Sequence, residues 1–240
     1  MLAGVLLKMG AYGFLRFALP MTPTAVEEAR GVMIALSIVA IIYGALVAMM
    51  QPDLKKLVAY SSVSHMGFVT LGIFSNTQNG LDGAILVMFS HGLVSAALFF
   101  AVGVVYERTH TRQIADLGGL AARMPVYAVA LGFFSLASLG LPMLSGFVGE
   151  FLVLLGAFSV AVGVGVAATL GVILAAAYML WMYQRVMFGE IRTQALATLS
   201  DVTRVEAGAF VSLAVLVVWV GVYPAMFVTM ISPSTVGLVG

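Results

Sequence analysis

The sequence predicts an all-α polytopic membrane protein, and its composition is the first reason. Hydrophobic residues make up 62% of the 240 residues and charged residues only 9%, and the mean hydropathy is +1.12. Soluble globular proteins carry about 25% charged residues. The second reason is that the apolar residues occur in long stretches separated by short polar joints. A stretch of about 20 apolar residues forms a helix that crosses the hydrocarbon core of a bilayer.

Seven such stretches predict about seven transmembrane helices in a single transmembrane domain over 1–240. They cover approximately 2–19, 31–50, 55–75, 83–105, 125–156, 160–187 and 208–230. In the polar joint before the third stretch, Asp53 is placed to cap the N-terminus of the following helix, because a carboxylate accepts the free N–H groups of a first turn.

The fifth stretch is too long for one straight helix. Residues 125–158 would form a helix of about 50 Å, well beyond the thickness of the hydrocarbon core. In its middle, Pro142 lacks a backbone donor, and Gly140 and Gly146 weaken the helix on either side. We expect two half-helices with a break between them; a simple proline kink is the alternative. Such breaks mark ion and substrate sites in transporters.

The basic residues predict the orientation of the helices. If the loops are assigned alternately to side A and side B, starting on side A at Met1, then eight Lys and Arg residues fall on side A and two on side B. Cytoplasmic loops carry the excess of Lys and Arg, so we expect side A to face the cytoplasm. The side A residues are Lys55, Lys56, Arg108, Arg112, Arg123, Arg185, Arg192 and Arg204, and those of side B are Arg16 and Arg30.

Four ionisable side chains lie inside the apolar stretches: Lys8, His65, His91 and Glu150. A charge at the centre of a bilayer costs about 3 kcal/mol, and residues retained at that cost commonly move an ion or a proton. The histidines are natural proton carriers because their ordinary pKa lies near neutrality. We therefore expect these four residues to form a proton relay at mid-membrane.

Each of the four also has a plain structural interpretation. Lys8 is close enough to the start of its stretch to extend its ammonium to the membrane surface. The histidines could be hydrogen-bonded side chains between packed helices, and Glu150 could belong to an ion pair that joins two helices. Ser61 and Ser95 lie four residues from His65 and His91, on the same helical face. Together with Ser64, beside His65, they are the candidate supporting polar residues.

Several kinds of site find no support in the sequence. The chain has no cysteine, which excludes disulfides and thiolate-bound metals or iron–sulfur clusters. A net charge of +1 does not indicate a nucleic-acid partner. No phosphate-binding loop and no metal-ligand spacing is present. We expect no metal and no cofactor in this chain, and the lipid bilayer as its surroundings.

Several segments together resemble the antiporter-like membrane subunits of respiratory complex I. The resemblance covers essentially the whole chain, and the second of its segments is the most specific. It implies a proton-pumping subunit of an NADH:quinone oxidoreductase, with NADH, flavin, iron–sulfur clusters and quinone all held by partner subunits. It also implies contacts with neighbouring antiporter-like subunits. The segments are Leu6–Gly13, Gln51–Gly67, His91–Leu93 and Leu141–Phe151.

The resemblance assigns roles to the same four residues. Lys8 matches the family's lysine between two half-channels, His65 and His91 match its central relay, and Glu150 matches the terminal carboxylate on a broken helix. Family members have two inverted five-helix repeats, and this chain corresponds to one repeat with flanking helices. We therefore expect it to be the C-terminal part of a longer protein. The alternatives are a subunit of a cation/proton antiporter or membrane-bound hydrogenase, and a scaffold that transports nothing.

Overall fold

A computed structural model describes residues 2–192, 196 and 198–238 of the chain. Within these residues the regular structure is helical apart from one isolated β-bridge between Asp53 and Gln113. The predicted all-α fold class is confirmed. Five of the helices are long and apolar enough to cross a membrane, so the chain is a polytopic membrane protein.

The helices are numbered here in chain order. Residues 2–21 form one continuous helix, α1, in which turns of α-helix alternate with wider π-type turns. Short 3-10 turns over Leu120–Ala122 and Val236–Leu238 complete the described structure. The remaining helices are α2 (Pro23–Met49), α3 (Leu54–Phe74), α4 (Gln78–Thr109), α5 (Pro125–Ser138), α6 (Ser145–Val160), α7 (Val162–Met187), α8 (Arg204–Val222) and α9 (Pro224–Thr235).

The predicted break in the fifth stretch separates α5 from α6. Gly140, at the start of the break, has a φ of +77°, a left-handed conformation that glycine adopts without strain. Pro142 follows in the turn, where its missing N–H is no loss. A Cβ atom at Gly146 would lie 2.4 Å from the carbonyl oxygen of Ala137. The two half-helices therefore meet closely, and side chains on both sides of the break face the same interior region.

Several helix ends differ from the prediction. Helix α2 begins at Pro23 rather than near residue 31, because proline fits the first turn of a helix, where no N–H donor is needed. Helix α4 extends over Gln78–Thr109, beyond the predicted 83–105. The single span predicted over 208–230 is instead two helices that meet at Tyr223. Pro224 explains this division, because the residue before a proline is disfavoured in the helical conformation. That 1–240 forms a single transmembrane domain stays a prediction.

Side-chain caps position the starts of α3 and α4. The carboxylate of Asp53 accepts a hydrogen bond from the backbone N–H of Lys56 at 3.0 Å, as predicted. The hydroxyl of Thr77 accepts one from the backbone N–H of Gly80 at 3.1 Å. These caps satisfy N–H groups that a helix leaves free in its first turn.

Glycines bring α4 and α6 into direct contact. A Cβ atom at Gly83 would lie 2.7 Å from the backbone nitrogen of Val153 and 2.8 Å from the carbonyl oxygen of Gly149. A Cβ atom at Gly149 would lie 2.7 Å from the backbone nitrogen of Val87. Small residues of this kind let transmembrane helices approach closely. The contact fixes the first turns of α6, which carry Glu150, against α4.

Candidate functional site

Lys8 and His91 form the first contact of the candidate site. The ammonium nitrogen Nζ of Lys8, on α1, lies 2.7 Å from Nδ1 of His91, on α4. His91 is buried and Lys8 is half-buried. The lysine therefore points into the helix bundle, rather than along the lipid toward a membrane surface.

His65 and Glu150 form the second contact. Nδ1 of His65, on α3, lies 3.0 Å from Oε1 of Glu150, on α6. The other ring nitrogen of His65, Nε2, lies 3.3 Å from the hydroxyl of Ser138, the last residue of α5. His65 and Glu150 are only 5% and 6% exposed, so the pair is shielded from the surroundings of the bundle.

The two contacts join into one line of ionisable groups. The ring centroids of His65 and His91 are 5.4 Å apart. Both rings line a cavity of about 20 Å³, together with Ser138 and Glu150. Such a volume holds about one water molecule when polar groups surround it. The structure thus brings all four predicted residues together in the order Lys8, His91, His65 and Glu150.

Gly140 makes room for the carboxylate at the end of this line. A Cβ atom at Gly140 would lie 2.9 Å from Oε2 of Glu150, so the carboxylate would have to shift to make room for it. Since Gly140 also has a positive φ, the position favours glycine for both space and conformation. The break in the helix therefore shapes the pocket that holds Glu150.

The contacts can exchange protons without large movements. A charged Lys8 donates to a neutral His91, and a neutral Lys8 can accept when Nδ1 of His91 carries the proton. When Nδ1 of His65 carries the proton, it donates to Glu150, and Nε2 is then free to take up a proton or to accept from Ser138. The line begins with a base that is charged when protonated and ends with a carboxylate that is charged when deprotonated. A proton that moved from Lys8 to Glu150 would neutralise both ends.

The supporting serines divide into different roles. Ser61 donates to the carbonyl of Val58 in its own helix at 2.8 Å. Ser64 donates to the carbonyl of Ile41 on α2 at 2.8 Å, so its hydroxyl joins two helices. Ser95 is buried, and its hydroxyl has no hydrogen-bond partner among the described residues. None of the three contacts the four ionisable side chains through a hydrogen bond in the described structure.

Two serine contacts at the site were not predicted. Ser138 reaches His65, and Ser90 lies 2.7 Å from Ser145 across the cavity wall, hydroxyl to hydroxyl. Their positions in the sequence could have indicated these serines, because Ser138 and Ser145 border the predicted break and Ser90 precedes His91. Helical spacing from the histidines pointed to other serines, since it says nothing about residues contributed by a different helix.

The part of the chain that the structure describes contains no group of three or more His, Asp or Glu residues placed to hold a metal ion. The expectation that this chain holds no cofactor stays a prediction. The polar groups of the site are hydroxyls, imidazoles, one ammonium and one carboxylate, which are groups that carry protons.

Comparison with known sequences places the chain in a family. Residues 1–175 match the sequence profile of the family "NADH:quinone oxidoreductase/Mrp antiporter, TM". The chain belongs to this family. The match includes all four ionisable residues of the site and the break between α5 and α6.

Curated relatives extend the similarity over nearly the whole chain. NADH-quinone oxidoreductase subunit M of Rhodobacter capsulatus is 56% identical over 99% of this chain and 46% of its own length. NADH-ubiquinone oxidoreductase chain 4 of Chondrus crispus is 48% identical over 99% of this chain and 48% of its own length. The chain therefore spans about half the length of the curated relatives it matches.

Solved structures give the same result for the fold. A chain of respiratory complex I from Thermus thermophilus with bound NADH superposes with a TM-score of 0.90 at 37% identity, over 97% of this chain and 50% of that chain. A chain of the Mrp complex from Dietzia sp. DQ12-45-1b superposes with a TM-score of 0.87 over 96% of this chain and 51% of that chain. At an identity of 20%, this superposition shows a shared fold and nothing more.

Proposed function

We propose that this chain is a proton-translocating part of a membrane subunit of NADH:quinone oxidoreductase. The observation that carries the proposal is the continuous line of Lys8, His91, His65 and Glu150. Two direct contacts and one histidine pair connect four helices through the interior of the bundle. A line of this kind suits the transfer of protons sideways, between positions in the membrane plane.

The assignment to a quinone oxidoreductase is supported by the relatives. The subunits from Rhodobacter capsulatus and Chondrus crispus are named for NADH-quinone and NADH-ubiquinone oxidoreductases. The Mrp neighbour shares the fold at a much lower identity of 20%, so the first assignment is favoured over a cation/proton antiporter. A scaffold role does not explain the line of buried ionisable groups. Apolar side chains could hold the helices together without the free-energy cost of burying charges.

The proposed division of labour between subunits is the one that the resemblance to complex I membrane subunits implies, and the composition of this chain agrees with it for iron–sulfur clusters. The chain has no cysteine to hold an iron–sulfur cluster. The chain then carries protons while NADH, flavin, iron–sulfur clusters and quinone belong to partner subunits. Its partners are the other membrane subunits of the complex, including neighbouring antiporter-like subunits, within a bacterial inner membrane.

Glu150 provides the test of this function. Glu150→Gln keeps the size and hydrogen-bonding capacity of the side chain but cannot carry a titrating proton. In membrane vesicles that contain the full-length subunit in the assembled complex, we expect this substitution to lower NADH-driven proton pumping sharply. Pumping is measured as acidification of the vesicle interior, together with the rate of NADH oxidation and the amount of assembled complex.

The matched control is Glu28→Gln, the same chemical change at an exposed position of α2. The control should pump protons as the unmodified complex does. If Glu150→Gln also pumps normally in fully assembled complex, the proposed role of the relay is wrong.

A further inference from the structure

A second buried carboxylate, Asp82, lies between α4 and the C-terminal helix α9. It is 4% exposed. Its oxygen Oδ1 accepts a hydrogen bond from Nε2 of Gln78 at 2.9 Å, and Oδ2 accepts one from the hydroxyl of Ser232 at 2.6 Å. The hydroxyl of Thr235 also contacts Oδ1. Asp82 lies just outside the fourth apolar stretch predicted over 83–105, whereas the structure has it inside the bundle.

The partners of Asp82 are all neutral. Gln78, Ser232 and Thr235 carry no charge, and every salt bridge found among the described residues involves other carboxylates. A buried carboxylate without a cationic partner is costly to keep ionised. Neutral side chains could join α4 to α9 without that cost. A residue that can change its charge at this position therefore calls for an explanation beyond helix packing.

The hydrogen bonds around Asp82 suit both of its protonation states. Thr235 is within reach of Oδ1 of Asp82, of Nε2 of Gln78 at 2.6 Å and of the carbonyl of Ser232 at 3.1 Å. When Asp82 is ionised, the hydroxyl of Thr235 donates to the carboxylate. When Asp82 is protonated, its own O–H donates to Thr235, and the Thr235 proton turns to the carbonyl of Ser232. Neither state leaves a buried donor unpaired.

The contact between α4 and α6 relates Asp82 to Glu150. Asp82 directly precedes Gly83 and Glu150 directly follows Gly149, and these two glycines touch. Asp82 is nine residues from His91 toward the start of α4, a distance of about 14 Å along the helix. It therefore lies closer to side B than the histidines do, and about one turn of α4 beyond Val87, which packs against Gly149.

Access from Asp82 to the surface runs along α9. Thr235 is buried and Ser232 is partly exposed, while the neighbouring Pro233 and Ser234 are exposed. On the inner side, the buried side chain of Leu86 lies one helical turn from Asp82 on the same face of α4. A proton crosses this apolar level only when water or a side-chain movement bridges it, which separates Asp82 from the relay at rest.

We propose that Asp82 is a further proton-carrying residue, which takes up protons that leave Glu150 and passes them to the side B surface past Thr235 and Ser232. The step is a proton transfer between carboxylates and water, with no change of oxidation state. It rests on the function proposed above and extends the line of four residues toward one membrane surface.

The test separates the charge of Asp82 from its role in holding α9. Asp82→Asn removes the titrating group and keeps a hydrogen-bonding side chain, whereas Asp82→Glu keeps the titrating group. Thr235→Val keeps the carboxylate and removes one of its partners. Each substitution is placed in the full-length subunit of the assembled complex in membrane vesicles. The measurements are protons pumped per NADH oxidised and the turnover-dependent infrared band of a protonated carboxyl group.

We expect the Asp82→Asn variant to pump fewer protons per NADH oxidised and to lack one infrared carboxyl signal. The Asp82→Glu variant should retain both the pumping and the signal. Two results would overturn the inference: normal pumping by Asp82→Asn, or equal loss of pumping and of assembly in all three variants, which would indicate a packing role. Glu150→Gln is measured in the same preparations. If Glu150→Gln fails to pump while Asp82→Asn pumps normally, the function proposed above stands and only the role of Asp82 falls.

Discussion

At the residue scale, the direction of the Lys8 side chain decides whether it belongs to the site. Its position near the start of α1 allowed two outcomes from the sequence, an ammonium at the membrane surface or one turned inward. The contact with His91 at 2.7 Å corresponds to the inward outcome. Neighbouring residues of α1, such as Leu6 and Met9, are more than half exposed. The lysine is thus turned away from the exposed apolar residues beside it on α1.

This geometry makes Lys8 a required proton carrier in the proposed function. We expect Lys8→Ala to lower NADH-driven proton pumping about tenfold or more, because a positioned proton carrier contributes about 100-fold or more to its step. Lys55→Ala, at an exposed position of α3, is the matched control and should pump normally. The measurement is vesicle acidification at equal amounts of assembled complex. An unchanged rate for Lys8→Ala would remove Lys8 from the relay.

At the scale of single elements, the break between α5 and α6 is the feature on which the site depends. It ends one helix at Ser138, which contacts His65, and starts the next at Ser145, which contacts Ser90. It also places Gly140 against the carboxylate of Glu150. A continuous helix would carry these side chains past the histidines, since successive turns would rotate them onto other faces.

Gly140 is the position at which the break can be tested. A side chain there would lie against Oε2 of Glu150. The backbone would also have to keep its positive φ, which alone costs about 1–2 kcal/mol for a residue with a Cβ atom. We therefore expect Gly140→Ala to lower the thermal stability of the purified subunit and to impair proton pumping.

The control for this substitution is Gly103→Ala inside α4, six residues before its end, where an added Cβ meets no atom within 4 Å. Alanine favours a helix over glycine by about 1 kcal/mol, so this variant should be as stable as the unmodified protein or more so. Equal stability and equal pumping of both variants would contradict the role given to Gly140.

At the scale of the whole molecule, the distribution of basic residues makes a prediction that the helix bundle alone does not. Side A carries eight Lys and Arg residues and side B two, which predicts that side A is cytoplasmic. The same orientation would have Asp82 and α9 toward the opposite surface. The membrane surface at which Asp82 would release protons depends on this orientation.

The absence of cysteine makes the orientation directly measurable. Single substitutions Ala122→Cys, on side A, and Thr24→Cys, on side B, lie at exposed positions of the described structure. With a membrane-impermeant maleimide, we expect Ala122→Cys to react only when the cytoplasmic face of the vesicle is outside. Thr24→Cys should react only in vesicles of the opposite orientation. The reverse pattern would invert the predicted topology.

How much could be foreseen from the sequence differs between the helices and the contacts. The apolar stretches, the cap at Asp53 and the break at Gly140 and Pro142 follow from local chemistry, so they were predictable. The end of α8 at Tyr223 was missed, although Pro224 marks it, because apolar content continued across the proline. The local sequence pattern predicts the presence of a helix more reliably than it predicts the residue at which the helix ends.

The sequence by itself determined that the chain spans a membrane and that four ionisable residues lie within its apolar stretches, because both depend only on which residues occur along the chain. Only the tertiary structure decided that Lys8 meets His91, that His65 meets Glu150, that Ser64 turns to α2 and that Asp82 is buried against α9. These contacts join residues distant in sequence. They depend on how helices cross and rotate against one another, and periodicity within one helix carries no information about that arrangement.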